Sequence, residues 1–133
     1  MRKTNATIIA GVGMVAFGKP GASDNYDVMG ETAIREALAD SGLDFTHIKQ
    51  AYAGYVYGDS TCGQKVIYKV GMTGIPVFNV NNNCSTGSSA LFMARQAVDS
   101  GLVDCALAVG FEQMQPGALG SVWDDRPSPF DDF

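Results

Sequence analysis

The chain has 133 residues, the length of a single domain. It is 46% hydrophobic and 17% charged, enough apolar material for a core and too little charge for a disordered segment. Nine Lys and Arg against 14 Asp and Glu give a formal charge of -5, which excludes the basic surface that nucleic-acid binding needs. Much of that acidity sits near the end, where Asp124, Asp125, Asp131 and Asp132 face a single Arg126. No run approaches the ~20 apolar residues of a membrane span. The basic start, Met1-Arg2-Lys3, leads into an apolar run broken by Gly11 and Gly13, with no cleavage-site pattern. The protein is therefore expected not to be secreted, and its three cysteines to be free thiols rather than a disulfide framework.

Thr7 to Val15 is nearly continuous in apolar residues and predicts a strand buried on both faces. Gly18, Pro20 and Gly21 then make a loop. From Tyr26 the spacing changes to three and four: Tyr26, Met29, Gly30, Ala33, Ile34, Ala37, Leu38 and Ser41 fall on one face. That pattern predicts a helix, capped by Ser23 or Asp24 and closed by Gly42. Ala51 to Tyr57 predicts a second strand, and Gln64 to Val70 a short helix ended by Gly71. Ile75 to Val80 predicts a third strand, with the donor-less Pro76 at its start or on an edge. Ser85 to Ser100 predicts a helix ended by Gly101, and Cys105 to Phe111 a fourth strand.

The order β-α-β-α-β-α-β predicts an α/β fold with a mostly parallel sheet covered by helices on both faces. After Phe111 the residues Pro116, Gly117, Gly120, Pro127 and Pro129 interrupt any regular pattern. The expected division is a core domain over residues 1–115 and the truncated start of a loop region over residues 116–133.

Gly11-Val12-Gly13-Met14-Val15-Ala16 fits the dinucleotide fingerprint after a strand, with Glu31 near the acidic position. That chemistry requires a helix to open at the last small residue, and Phe17-Gly18-Lys19-Pro20-Gly21 cannot begin one. The better reading is close backbone packing by the glycines. A second candidate is Asn81-Asn82-Asn83-Cys84-Ser85-Thr86-Gly87-Ser88-Ser89-Ala90-Leu91. A thiol at the start of a helix faces unpaired amides and the positive end of the dipole, which favour a thiolate. Gly87, Ser88, Ser89 and Ala90 would let that helix be packed closely all round, with Cys84 at the bottom of a cleft. An inert core cysteine is the other reading of the same position.

Nothing beside Cys62 suggests a base, and Cys105 falls in a strand as packing. The thiols and the lone His47, expected to be exposed, make no metal-ligand spacing, so no metal is expected. Ser88 and Ser89 lack the second glycine of a nucleophile elbow.

The segment Val80-Asn81-Asn82-Asn83-Cys84-Ser85-Thr86-Gly87-Ser88-Ser89-Ala90-Leu91-Phe92-Met93-Ala94-Arg95-Gln96 resembles the nucleophile segment of thiolases, and most closely that of the sterol-carrier-protein-type, or peroxisomal lipid-transfer, thiolases. The blocks Gly11-Val12-Gly13-Met14, Gly54-Tyr55-Val56-Tyr57-Gly58-Asp59-Ser60-Thr61-Cys62-Gly63-Gln64, Gly71-Met72-Thr73-Gly74-Ile75-Pro76 and Ala108-Val109-Gly110-Phe111-Glu112-Gln113-Met114 agree in order. The similarity weakens after Ser121. The resemblance implies a thiolase-like half-fold with Cys84 as the acyl-accepting nucleophile of a 3-oxoacyl-coenzyme A thiolase. Coenzyme A is then a substrate, and no bound cofactor is implied. It also implies a homodimer paired through the strand Ile75–Val80, in a peroxisome if the source is eukaryotic and in the cytoplasm if it is bacterial.

Ser85 stands where the resembled segment often has Ala, a small-for-small change. The histidine segments and second cysteine that supply base, acid and oxyanion donors in the family have no counterpart here, so the chain by itself is expected to be inactive. Two other functions fit the same residues. One is a retro-aldol reaction on steroid side-chain thioesters with Cys84 a spectator; the other is a non-catalytic assembly module.

Overall fold

The computed structural model describes residues 6–116 and 123–128. The segment with the clearest three-and-four spacing folds as expected, as helix α1 over Tyr26–Ser41. Gly42 closes it in the left-handed region at φ 67°, its amide donating to the Ala39 carbonyl. The N-cap is Asn25 rather than Ser23 or Asp24, and its side chain makes no capping bond. The Tyr26 amide instead donates to the Gln113 side chain at 3.0 Å, so a distant residue satisfies part of this helix start.

The remaining elements are strand β1 (Gln50–Gly54), helix α2 (Cys62–Val70), strand β2 (Val77–Val80), helix α3 (Thr86–Asp99) and strand β3 (Ala106–Gly110). A 3-10 turn, Phe45–His47, precedes β1. Strand β1 ends three residues before Tyr57, because the Val56 and Tyr57 amides turn to the Glu112 carboxylate instead of a neighbouring strand. Helix α2 begins two residues before Gln64, after Thr61 at φ 68°. Strand β2 starts only at Val77; Pro76 contributes just its carbonyl, which accepts from the Ala51 amide at 3.0 Å.

The sheet has the order β2-β1-β3 with both pairings parallel, and Tyr52 lies opposite Phe78 and Ala108. Alternation along the strands sends side chains to two separate layers. Ala51, Ala53, Leu107 and Val109 face α1 and α2, where they meet Ile34, Val66 and Ile67. Tyr52, Ala106 and Ala108 face α3, where they meet Ala90, Ala94 and Ala97. A parallel sheet with helices on both faces is thus the fold class, as the alternating pattern implies.

The expected first strand is the exception. Residues 7–15 join no ladder among the described residues, so the sheet has three strands where the sequence pattern suggests four. This segment lies along α1 instead. A Cβ on Gly13 would meet the Ala33 carbonyl, so the bare glycine backbone is what permits the approach. The Val12 and Met14 amides donate to the Asp40 and Glu36 carboxylates at 2.9 and 3.1 Å. Side chains of α1 therefore take the place a neighbouring strand would fill, while Ile8, Val12 and Met14 stay exposed. The division at residue 115 falls at the edge of the described region, and most of residues 116–133 lies outside it.

Candidate active site

The three parallel strands end on the same side of the sheet, and their carboxyl ends are tied together there. The Tyr55 amide donates to the Val80 carbonyl at 3.3 Å, and the Phe111 amide to the Gly54 carbonyl at 3.1 Å. Just beyond, the two Glu112 oxygens accept from the Val56 and Tyr57 amides, each at 2.9 Å. The first turn of α3 rests on these strand ends. A Cβ on Gly54 would lie 2.7 Å from Thr86 Cγ2, and one on Gly110 3.4 Å from Gly87 Cα. The bare backbone of Gly54 lets the helix start descend onto the sheet, whereas a Cβ at Gly110 would make only ordinary contact.

Between β2 and α3 the chain makes a turn rich in local hydrogen bonds. The Asn83 amide donates to the Asn81 side chain at 3.1 Å, and Asn83 sits in the left-handed region at φ 48°, which Asn tolerates. The buried Thr86 hydroxyl donates to the Asn83 carbonyl at 2.6 Å and accepts from the Asn82 amide at 2.8 Å. The Asn82 side chain reaches the Ser89 hydroxyl at 2.8 Å. Cys84 is held at the outer side of this turn, one residue before the N-cap Ser85, whose side chain makes no capping bond. Its sulfur lies 3.8 Å from the Asn83 side-chain oxygen and is exposed to solvent.

The helix thus starts just after Cys84, as the sequence implies. Among the described residues the enclosure expected around it is not formed: helix α3 is packed on one side only, with Leu91 50% and Phe92 60% exposed on the other, and Cys84 does not lie at the bottom of a cleft. The small residues let the helix approach the sheet; the second covering layer they would allow is not formed by the described residues. A cavity of about 340 Å³ lies across the sheet, lined by Arg35, Leu38, Leu43, Asp44, Phe45 and Val70, away from Cys84.

The other candidates have different surroundings. Cys62 is buried at the start of α2, beside Tyr26 and Tyr55. Its hydrogen bond with the Tyr26 phenol, together with burial, pushes that phenol up to about 12. Cys105 is half-buried just before β3, and burial pushes its thiol up. His47 is exposed, with Nδ1 3.1 Å from the Asp44 carbonyl oxygen. It precedes β1 while Cys84 follows β2, so the length of a parallel strand, roughly 15 Å, separates them. No helix opens at Gly11–Ala16, which supports close packing over nucleotide binding there. Among the described residues no cluster of His, Cys, Asp and Glu can hold a metal ion. Glu112 carries no mark of this contact in the sequence, because a pairing between residues 112 and 56 leaves no periodic or spacing signal.

Residues 7–120 match the family model described as "Thiolase, N-terminal domain". The chain is 54% identical over 126 residues to human "Sterol carrier protein 2", covering 92% of this chain and 23% of that protein. It is 37% identical over 114 residues to "Benzoylsuccinyl-CoA thiolase subunit BbsB" of Thauera aromatica, covering 84% and 29%. In three dimensions it is similar to 3-oxoacyl-[acyl-carrier-protein] synthase III from Aquifex aeolicus VF5, with a TM-score of 0.61 over 68% of this chain and 30% of that one; at 22% identity this is a likeness of fold. The chain spans about a quarter of the length of the sterol carrier relatives it matches. The alternating parallel fold, the turn that presents Cys84 and the match over residues 7–120 together place this chain in the thiolase family, as its amino-terminal domain.

Proposed function

We propose that this domain carries the nucleophile of a 3-oxoacyl-coenzyme A thiolase of the lipid-transfer type, acting in β-oxidation of fatty acids or sterol side chains. The observation that carries the reading is Cys84, solvent-exposed at the turn that leads into α3, inside the family-matched segment. The Cys84 sulfur, as thiolate, bonds to C3 of the 3-oxoacyl thioester and the C2–C3 bond breaks. The electron pair leaves with C2 as the enolate of acetyl- or propionyl-coenzyme A, which takes up a proton. The shortened acyl group rests on Cys84 as a thioester until the coenzyme A thiol displaces it and the Cys84 sulfur regains its proton. Splitting the transfer in two gives ping-pong kinetics.

The chain's one histidine, at the opposite end of the sheet, cannot accept the Cys84 proton. Each missing oxyanion donor costs about a hundredfold or more in rate. The chain alone is therefore expected to accept an acyl group slowly and not to turn over. The same reading gives a homodimer paired through Ile75–Val80, and a peroxisomal site in a eukaryote or a cytoplasmic one in a bacterium.

Incubation with a 3-oxoacyl-coenzyme A, followed by peptide mass mapping, tests the reading. The expected result is a shortened acyl thioester on the Cys84 peptide, removed by hydroxylamine and lost in Cys84→Ala. Carbon–carbon cleavage of a steroid thioester with no adduct on Cys84 would overturn it.

A further inference from the structure

We propose that Glu112 is a positioning residue for the Cys84 site, fixing the loop of residues 55–58 as the rim over which a thioester's pantetheine arm reaches the sulfur. The proposal rests on the acyl-transfer reading above. Its basis is the arrangement of the strand ends. Val80 is tied to Tyr55 and Gly54 to Phe111 by backbone bonds, and there the ladder stops. Among the described residues the next two amides of the loop, Val56 and Tyr57, have no backbone partner of that kind. Both are met by one side chain, with Glu112 Oε2 2.9 Å from the first and Oε1 2.9 Å from the second.

A carboxylate is suited to this task because both its oxygens accept and its charge strengthens the bonds. A Gln of the same shape would present an NH2 donor to one of the two amides. The rest of the loop is fixed as well. The Tyr55 hydroxyl donates to the Asp59 carbonyl at 3.0 Å, and the Tyr55 ring stacks on Phe111 with centroids 5.2 Å apart. Release of Glu112 therefore frees residues 56 and 57 while leaving the loop's two ends anchored.

The connection to Cys84 runs through the same strand ends. Gly54 and Gly110, which touch Thr86 and Gly87 in the first turn of α3, lie two residues before Val56 and Glu112. Val80, which accepts from Tyr55, is where the turn bearing Cys84 departs. Residues 56 and 57 thus leave the sheet at the end from which the turn bearing Cys84 also departs, and the carboxylate selects one conformation for them.

The test compares wild-type chain with Glu112→Gln. Amide exchange at Val56 and Tyr57 is measured together with the labelling rate of Cys84, read by peptide mapping so that Cys62 and Cys105 are scored separately. Two probes are used: iodoacetamide, which is small, and pantetheine 2-pyridyl disulfide, which carries the arm. The second forms a Cys84–pantetheine disulfide and releases pyridine-2-thione. The expected result is exchange about tenfold faster at both amides, with the pantetheine-to-iodoacetamide rate ratio at Cys84 lowered at least about threefold. An unchanged ratio would overturn the proposal. So would a variant that fails to fold, because a group that only shapes the rim is dispensable to the sheet beneath it. Neither probe depends on acyl transfer, so absence of an acyl adduct on wild-type Cys84 would sink the thiolase reading and leave Glu112 judged by the ratio alone.

Discussion

Cys62 and Cys84 each stand at the start of a helix, yet their surroundings give them different chemistry. At Cys84 the polar turn leaves the sulfur in solvent. At Cys62 the thiol is enclosed, and the consequence falls on its neighbour: the hydrogen bond with the Tyr26 phenol, then burial, raises that phenol from 10.0 to about 12. The folded state thereby favours the neutral phenol. The stability this contributes is full below pH 10, the unfolded value, and is lost as pH rises toward about 12. Tyr55 is raised as well, by burial first, and adds to the same alkaline loss. Urea unfolding at about pH 9 and about pH 11.5 is expected to give a marked fall for wild type and a smaller one for Tyr26→Phe. Equal falls in the two proteins would mean that Tyr26 ionises as it does in the unfolded chain. Which cysteine is enclosed was not legible in sequence, because Tyr26 and Tyr55 reach Cys62 through the tertiary fold.

Helices α1 and α2 meet through a contact that needs one residue without a side chain. A Cβ on Gly30 would lie 2.6 Å from Val66 Cγ1 and 3.1 Å from Cγ2. Val66 is fully buried and β-branched, so it has little rotamer freedom with which to yield. Overpacking of this kind costs about 1–3 kcal/mol, while replacing Gly by Ala inside a helix returns about 1 kcal/mol. Gly30→Ala is therefore expected to destabilise by about 1 kcal/mol in urea unfolding. Lys69 makes a different connection between the same helices, to Asp27 at 2.9 Å and Glu31 at 3.6 Å. Its hydrogen bond holds the Asp27 carboxyl below the usual range, so that contribution is present above the ordinary Asp value and is lost as pH falls through the lowered one. Lys69→Met should therefore flatten the acid limb of a stability profile, whereas Gly30→Ala should lower the whole profile.

Element by element, the helices were legible because a 3.6-residue repeat is carried by the segment itself. Strands are defined by their neighbours. Residues 7–15 carry a strand's composition, but the carboxylates of Asp40 and Glu36 take their amides. Strand β1 stops early for the same kind of reason, at Glu112. The turn at Cys84 was legible because a polar turn followed by small residues marks a helix start; the open side of α3 depends on what else packs there.

At the scale of the molecule, the sheet formed by the described residues leaves two edges, β2 and β3. Strand β2 directs the carbonyls of Pro76 and Val80 toward β1, so alternation turns the backbone groups of Val77 and Asn79 outward. The edge is four residues long and carries no charged side chain, so it has little to oppose pairing with a second copy. Phe78, 42% exposed and stacked on Tyr52 with centroids 5.1 Å apart, lies within it. If this edge drives association, sedimentation should give a dimer whose population falls on dilution, and Phe78→Lys should shift the chain toward monomer by placing like charges near each other across the pair. The lost ring stack should also cost about 0.5–1.5 kcal/mol of stability, so the comparison must be made well below the unfolding transition. Phe92→Lys, on the open side of α3, supplies the contrast. It removes a still more exposed aromatic without touching the edge, and is expected to leave the dimer intact. Loss of association with Phe92→Lys and not with Phe78→Lys would assign the interface to α3 and remove the edge-paired homodimer.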